Sequence, residues 1–141
     1  NLNLGASFYN NPYNFINPVT GENTDADKKA YGGFAKIGIL KRIALLTEVD
    51  FVENTRISSM KRGLYGYGEL NFIIVKGLEL RTQYEYMKPD RDAGNNRITR
   101  TSVGASVFPL TGFETEAMLR FVTEDAQPDT KEFQVNFHFY F

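Results

Sequence analysis

The sequence predicts an all-β fold: an antiparallel up-and-down transmembrane β-barrel, whose eight strands in this chain either close on themselves or form the last part of a larger barrel. Three observations lead there. Apolar and polar residues alternate with a period of two in segment after segment, and the 3.6-residue period of an amphipathic helix is missing. The alternating segments are about ten residues long, which suits a strand crossing a bilayer at a tilt. The connections between them alternate between long and short.

Segments 2–9 and 31–40 open the chain with soft contrast between faces. Segment 43–52 is sharper, setting Ile43, Leu45, Thr47, Val49 and Phe51 against Ala44, Leu46, Glu48, Asp50 and Val52. Segment 64–75 is again softer. In 78–87, Leu78, Leu80, Thr82, Tyr84 and Tyr86 oppose Glu79, Arg81, Gln83 and Glu85. In 98–107, Thr99, Thr101, Val103, Ala105 and Val107 oppose Arg100, Ser102 and Ser106. Segment 113–123 sets Phe113, Thr115, Ala117, Leu119 and Phe121 against Glu114, Glu116, Met118 and Arg120. The last segment, 132–141, is the clearest, with Phe133, Val135, Phe137, Phe139 and Phe141 on one side and Gln134, Asn136, His138 and Tyr140 on the other.

The expected connections are 10–30 (long, with Asn11-Pro12, Asn17-Pro18 and Thr20-Gly21), the tight turn Lys41-Arg42, a long 53–63, the tight turn Lys76-Gly77, a long 88–97, a short 109–112 and an intermediate 124–131. Such a meander has one plain rim and one elaborated rim, and eight strands bring both termini to the plain side. Outer-membrane barrels share this asymmetry. A single domain over 1–141 is expected.

Composition narrows the function classes. A net charge of -1 with 23% charged residues gives no basic surface for nucleic acid. With no cysteine there is no disulfide, thiolate chemistry, covalent haem attachment or Cys-ligated zinc. No apolar run reaches the roughly 18 residues of a membrane-spanning helix. The chain opens at Asn1 without Met, so it reads as a processed or partial product.

Alternation alone fits two barrels, because a soluble ligand-binding barrel places its apolar face inside. The polar face here favours the inverted arrangement, since it mixes Glu, Asp, Arg, Gln, Asn, Ser and Gly rather than Lys. The apolar face carries Phe51, Tyr84, Tyr86 and Phe121 near the long connections and Phe72, Phe113, Phe139 and Phe141 near the short ones. Paired aromatic girdles of this kind mark the two interfaces of a membrane barrel.

The C-terminal alternation ending in Val135, Phe137, Phe139 and Phe141 resembles the signal by which outer-membrane barrels are recognised for assembly. The second half, from Gly77-Leu-Glu-Leu-Arg through Tyr84-Glu-Tyr, Lys88-Pro-Asp and Phe108-Pro-Leu to Arg120-Phe, looks like the C-terminal part of bacterial porins. The resemblance implies the outer membrane of a Gram-negative-type bacterium, with the C-terminus periplasmic. It also implies contact with membrane lipid and lipopolysaccharide, passage through a barrel-assembly machinery, and association either as a homo-oligomer or with a partner outer-membrane or periplasmic protein.

The expected pore lining comprises Lys36, Glu48, Asp50, Glu69, Glu79, Arg81, Glu85, Arg100, Glu114, Glu116, Arg120 and His138. Seven carboxylates against four cations predict a slightly acidic lumen and passive diffusion of small hydrophilic solutes, with a mild preference for cations. The alternative is a closed eight-stranded barrel plugged by internal ion pairs, serving as a structural, adhesive or anchoring protein. No catalysis is expected, because His138 is the only histidine and its strand holds neither Ser nor Asp. No cofactor or metal is expected, and a haem in a sheathed cytochrome would belong to a partner. Glu22, Asp25 and Asp27, like Asp90 and Asp92, lack the ordered spacing of a calcium loop. Gly32-Gly33 and the glycines of 63–68 sit inside alternating segments, as packing and curvature sites.

Overall fold

The computed structural model describes residues 1–16, 21, 23–56 and 59–140. Their chain order is β1 (Leu2–Ile16), β2 (Asn23–Ile39), β3 (Ile43–Arg56), β4 (Ser59–Val75), β5 (Leu78–Lys88), β6 (Ile98–Leu110), β7 (Phe113–Glu124) and β8 (Gln127–Phe139). Every strand pairs antiparallel with its sequence neighbours, in the order β1-β2-β3-β4-β5-β6-β7-β8. The single sheet is open. β1 touches only β2, and β8 touches only β7.

Three boundaries differ from the sequence expectation. The segment 10–30, read as a long loop, is largely ladder, because β1 and β2 stay paired as far as Ile16 and Asn23. Pairing of β3 with β4 likewise continues to Arg56 and Ser59. The connection 124–131 shrinks to Asp125-Ala126. Pro12 is admitted because β1 is an edge strand, where a missing N–H need not break a ladder. Asn17-Pro18, Thr20 and Phe141 lie outside the described residues. The plain rim is as expected: tight turns at Leu40–Arg42, Lys76-Gly77 and Thr111-Gly112, with both chain ends beside them through Gly38 N to Asn1 O (2.8 Å) and Tyr140 N to Gly112 O (2.8 Å). Gly77 and Gly112 supply positive φ at two of these turns, whereas Leu40 and Lys41 adopt it in the third.

The registers impose a steady stagger. Leu2 lies level with Ile37, Leu45, Leu70, Thr82, Val103, Leu119 and Phe133. β8 runs on past that row to Phe139. At the other rim, Gln127 starts β8 level with Ser7, while β1 continues to Ile16. Six to nine residues of offset across seven strand spacings correspond to a slope of roughly 30–40°.

The two faces are inverted relative to a water-soluble protein. The apolar side is the exposed one: Phe133 is 72% exposed, Phe139 62%, Val49 45% and Leu119 39%. The polar side is sheltered over β6 and β7, with Ser106 at 0%, Ser102 at 1%, Glu114 at 4% and Glu116 at 6%, and exposed at Lys36, Glu48 and Glu132. Among the described residues no second layer covers it. Shelter without a covering layer comes from neighbours on the same face, as on the inside of a curled sheet.

Candidate functional site

Register places all twelve residues of the expected lining on one face. Lys36 is on β2, Glu48 and Asp50 are on β3, and Glu69 is on β4. Glu79, Arg81 and Glu85 are on β5, Arg100 on β6, Glu114, Glu116 and Arg120 on β7, and His138 on β8. Side-chain alternation along each strand then fixes the rest of that face.

Over β4–β8 the face is an ordered network centred on Arg81. Its guanidinium donates to Glu116 and, through Nε, to Asn71 Oδ1 at 3.1 Å, and it lies 3.9 Å from Glu69 and 4.0 Å from Glu114. Glu69 also accepts from Tyr67, from Asn71 Nδ2 and from Gln83 Nε2 at 2.8 Å. Glu116 accepts from Asn136 Nδ2 at 3.0 Å. Glu114 accepts from Tyr140 at 2.7 Å and faces His138 Nδ1 at 3.2 Å. Each carboxylate thus has several donors, which is the condition for holding charge in a sheltered place.

Arg81 reaches over a whole strand. It stands on β5 and Glu116 on β7, about 9.6 Å apart as two strand spacings. β6 allows this because its side chains on this face between the two are small: Ser102, Gly104 and Ser106. Gly104 is the tightest point, since a Cβ there would collide with the carbonyl oxygen of Ala117 and the Sδ of Met118, and would lie 2.9 Å from Met118 Cα. The trough of small residues is what lets an arginine and two glutamates meet.

Two further pairs flank the network: Arg100–Glu85 at 3.2 Å and Arg120–Glu132 at 3.6 Å, Arg120 also donating to Ser102 at 3.3 Å. Glu132 adds an eighth carboxylate to the seven of the expected lining, and the strand extensions bring Lys28, Lys61 and Glu124 onto the same face. The β2–β3 side is different. Lys36, Glu48 and Asp50, together with Glu79 on β5, have no side-chain hydrogen bond or ion pair among the described residues. Their neighbours on β1 and β2 include Gly5, Ser7 and Gly32.

Sequence reading missed Tyr67, Asn71, Gln83 and Glu132 as members of the site. Tyr67, Asn71 and Gln83 share the parity of Glu69 and Arg81, and Glu132 shares that of His138, so the signal was present. His138 gains a carboxylate neighbour from β7, Glu114, although no Ser or Thr hydroxyl is hydrogen-bonded to its ring among the described residues. Among those residues, too, no group of three or more His, Asp or Glu could hold a metal ion. Of the residues expected by resemblance to form an assembly signal, Val135, Phe137 and Phe139 stand on the exposed apolar face. No family model, curated protein or solved structure matches the chain.

Proposed function

We propose that the chain forms eight consecutive strands in the wall of an outer-membrane porin-type β-barrel, its apolar face against lipid and its polar face lining a water-filled passage for small hydrophilic solutes. The observation that carries this reading is the apolar belt. Outward-facing apolar and threonine residues occupy 31–39, 43–51, 64–72, 78–86, 99–107 and 113–121, nine residues each, interrupted only by glycines in β2 and β4. At about 3.3 Å per residue and the slope above, nine residues span roughly 20–25 Å across the sheet. Membrane barrels carry an apolar band about 25 Å tall. Above the belt the outward residues become charged at once: Lys29, Glu53, Arg62, Lys88 and Lys131.

The open sheet supports a barrel wider than eight strands. Free edges at β1 and β8 leave a ladder of backbone donors and acceptors unpaired, which hydrocarbon penalises by several kcal/mol per group. Further strands satisfy them and widen the lumen. A wide lumen also accommodates the carboxylate excess of this face, which water can solvate and a dry plug cannot.

Selectivity then falls to the carboxylates without partners. Glu114 and Glu116, prominent by sequence, are held by Arg81 and its neighbours, whereas Glu48, Asp50 and Glu79 remain free to attract cations. Planar-bilayer conductance of the intact protein tests both points. An ohmic channel is expected, with a cation preference that falls in Glu48→Gln/Asp50→Asn. Correctly folded protein without conductance above background would defeat the porin and leave the plugged anchor.

A further inference from the structure

We propose that the plain rim carries a binding site for the phosphodiester headgroup of an anionic phospholipid, formed where the β2–β3 and β4–β5 turns stand side by side. The turns are joined by a hydrogen bond from Ile73 N to Arg42 O of 2.8 Å. Between them opens a cleft of about 520 Å³ whose lining includes Leu40, Lys41, Arg42, Ile74, Val75 and Lys76. The volume lies within the range of small-molecule sites. The site rests on the membrane reading above, and it names the lipid that this rim selects.

Charge is the first argument. Lys41, Arg42 and Lys76 are all exposed, and none has an ion-pair or side-chain hydrogen-bond partner among the described residues. The tight turns at Leu40–Arg42, Lys76-Gly77 and Thr111-Gly112 contain no carboxylate. Glu79, which belongs to the polar face, lines a neighbouring cavity with Lys41 and Arg42 but forms no ion pair with either. The opposite rim also holds cations unpaired among the described residues, Lys28, Lys61, Lys88 and Arg91, but carboxylates such as Glu53, Asp90 and Glu124 are interspersed with them. Three pairs form there: Lys29–Asp27 at 2.9 Å, Arg62–Asp92 at 3.1 Å and Arg97–Asp125 at 2.9 Å. Three unanswered cations on one rim call for an anion from outside the chain.

Apolar surface is the second argument, and it separates a lipid from a free phosphate. Leu40 is 84% exposed and Val75 58%, and both stand beside the cations. Val75, paired with outward-facing Leu78, prolongs the apolar belt toward the level at which acyl chains give way to headgroups, and Leu40 is exposed in the adjoining turn. Leu40 and Lys41 hold φ values of 52° and 58°. Two-residue turns of that hand favour Asn-Gly, and a left-handed residue other than Gly, Asn or Asp costs roughly 1–2 kcal/mol. The sequence therefore accepts strain to keep a bare leucine and a lysine at this corner. Cation and exposed apolar side chain together match a phospholipid, whose phosphate and acyl chain are covalently joined.

The test compares spin-labelled phosphatidylglycerol and phosphatidylcholine in vesicles of neutral lipid containing the intact protein. The motionally restricted fraction should favour phosphatidylglycerol by roughly five- to thirtyfold, as expected for one to two basic residues acting on an anionic lipid. Lys41→Gln/Arg42→Gln/Lys76→Gln should abolish the preference, and Lys29→Gln/Lys131→Gln, on the opposite rim, should retain it. Equal association of both lipids, or a preference that survives the triple substitution, overturns the site. Displacement of the labelled lipid by glycerol phosphate as effectively as by vesicle phosphatidylglycerol would assign the cations to a free phosphate and overturn it also. So would equally strong loss of the preference on adding a soluble acidic peptide, which would assign them to a protein partner. A channel that conducts without lipid preference refutes this site alone, and lipid preference without conductance refutes the porin alone.

Discussion

Replacing Arg81 by glutamine should cost about 2–3 kcal/mol of folding stability. Arg81 gives charge to Glu116, Glu114 and Glu69 and a hydrogen bond to Asn71. Removing one partner of a sheltered ion pair typically costs about 3–5 kcal/mol, because the remaining charge is left unpaired. Two features reduce that here. The Arg81 side chain is 21% exposed, so water reaches part of it, and Glu69, Glu114 and Glu116 keep donors in Tyr67, Gln83, Tyr140 and Asn136. Glutamine is also long enough to keep one hydrogen bond. The assay is equilibrium unfolding in urea of protein refolded into vesicles, followed by tyrosine fluorescence, since the chain has eight Tyr and no Trp. A second variant isolates the pair: Arg81→Gln/Glu116→Gln should recover about 1–2 kcal/mol as coupling. A loss below about 0.5 kcal/mol for the single variant, or no recovery in the double, would refute the idea that Arg81 organises this face.

Two further outcomes follow from the same geometry. Val49→Arg, in the middle of the apolar belt, should cost roughly 2–4 kcal/mol in vesicles, whereas Glu48→Ala beside it should change refolding yield little; the opposite ranking would mean that the faces are reversed. Gly104→Ala should cost at least about 1–3 kcal/mol by the same unfolding assay, because its methyl would press on the backbone of Ala117 and Met118 and not only on the Met118 sulfur; a neutral result would show that the β6 trough has slack.

The faces were legible in the sequence because a period of two is unambiguous once charges alternate with aliphatics, as in Glu48–Val49–Asp50 and Leu119–Arg120. Strand ends were not. Asn10 to Lys29 is rich in Asn, Pro, Asp and Lys, all poor strand formers, yet backbone pairing between β1 and β2 overrides those preferences. The long-range part of the site was also hidden. That Arg81 would meet Glu116 depends on the register of two intervening ladders and on Gly104 lying between them, and neither is encoded within a single strand. The basic turns were visible as residues, but the cleft they share required the β2–β3 and β4–β5 turns to be neighbours.

The stagger of the ladders separates two quantities that a barrel could have tied together. Each strand is displaced against the next by about one residue, and that increment sets the lean of the wall. In the proposed barrel, lean and strand length together would fix how thick a membrane the wall matches. The number of strands enters neither, because an added strand repeats the same step and enlarges only the circumference. A family of barrels built on this unit could widen its bore by duplicating hairpins while remaining in register with the same bilayer.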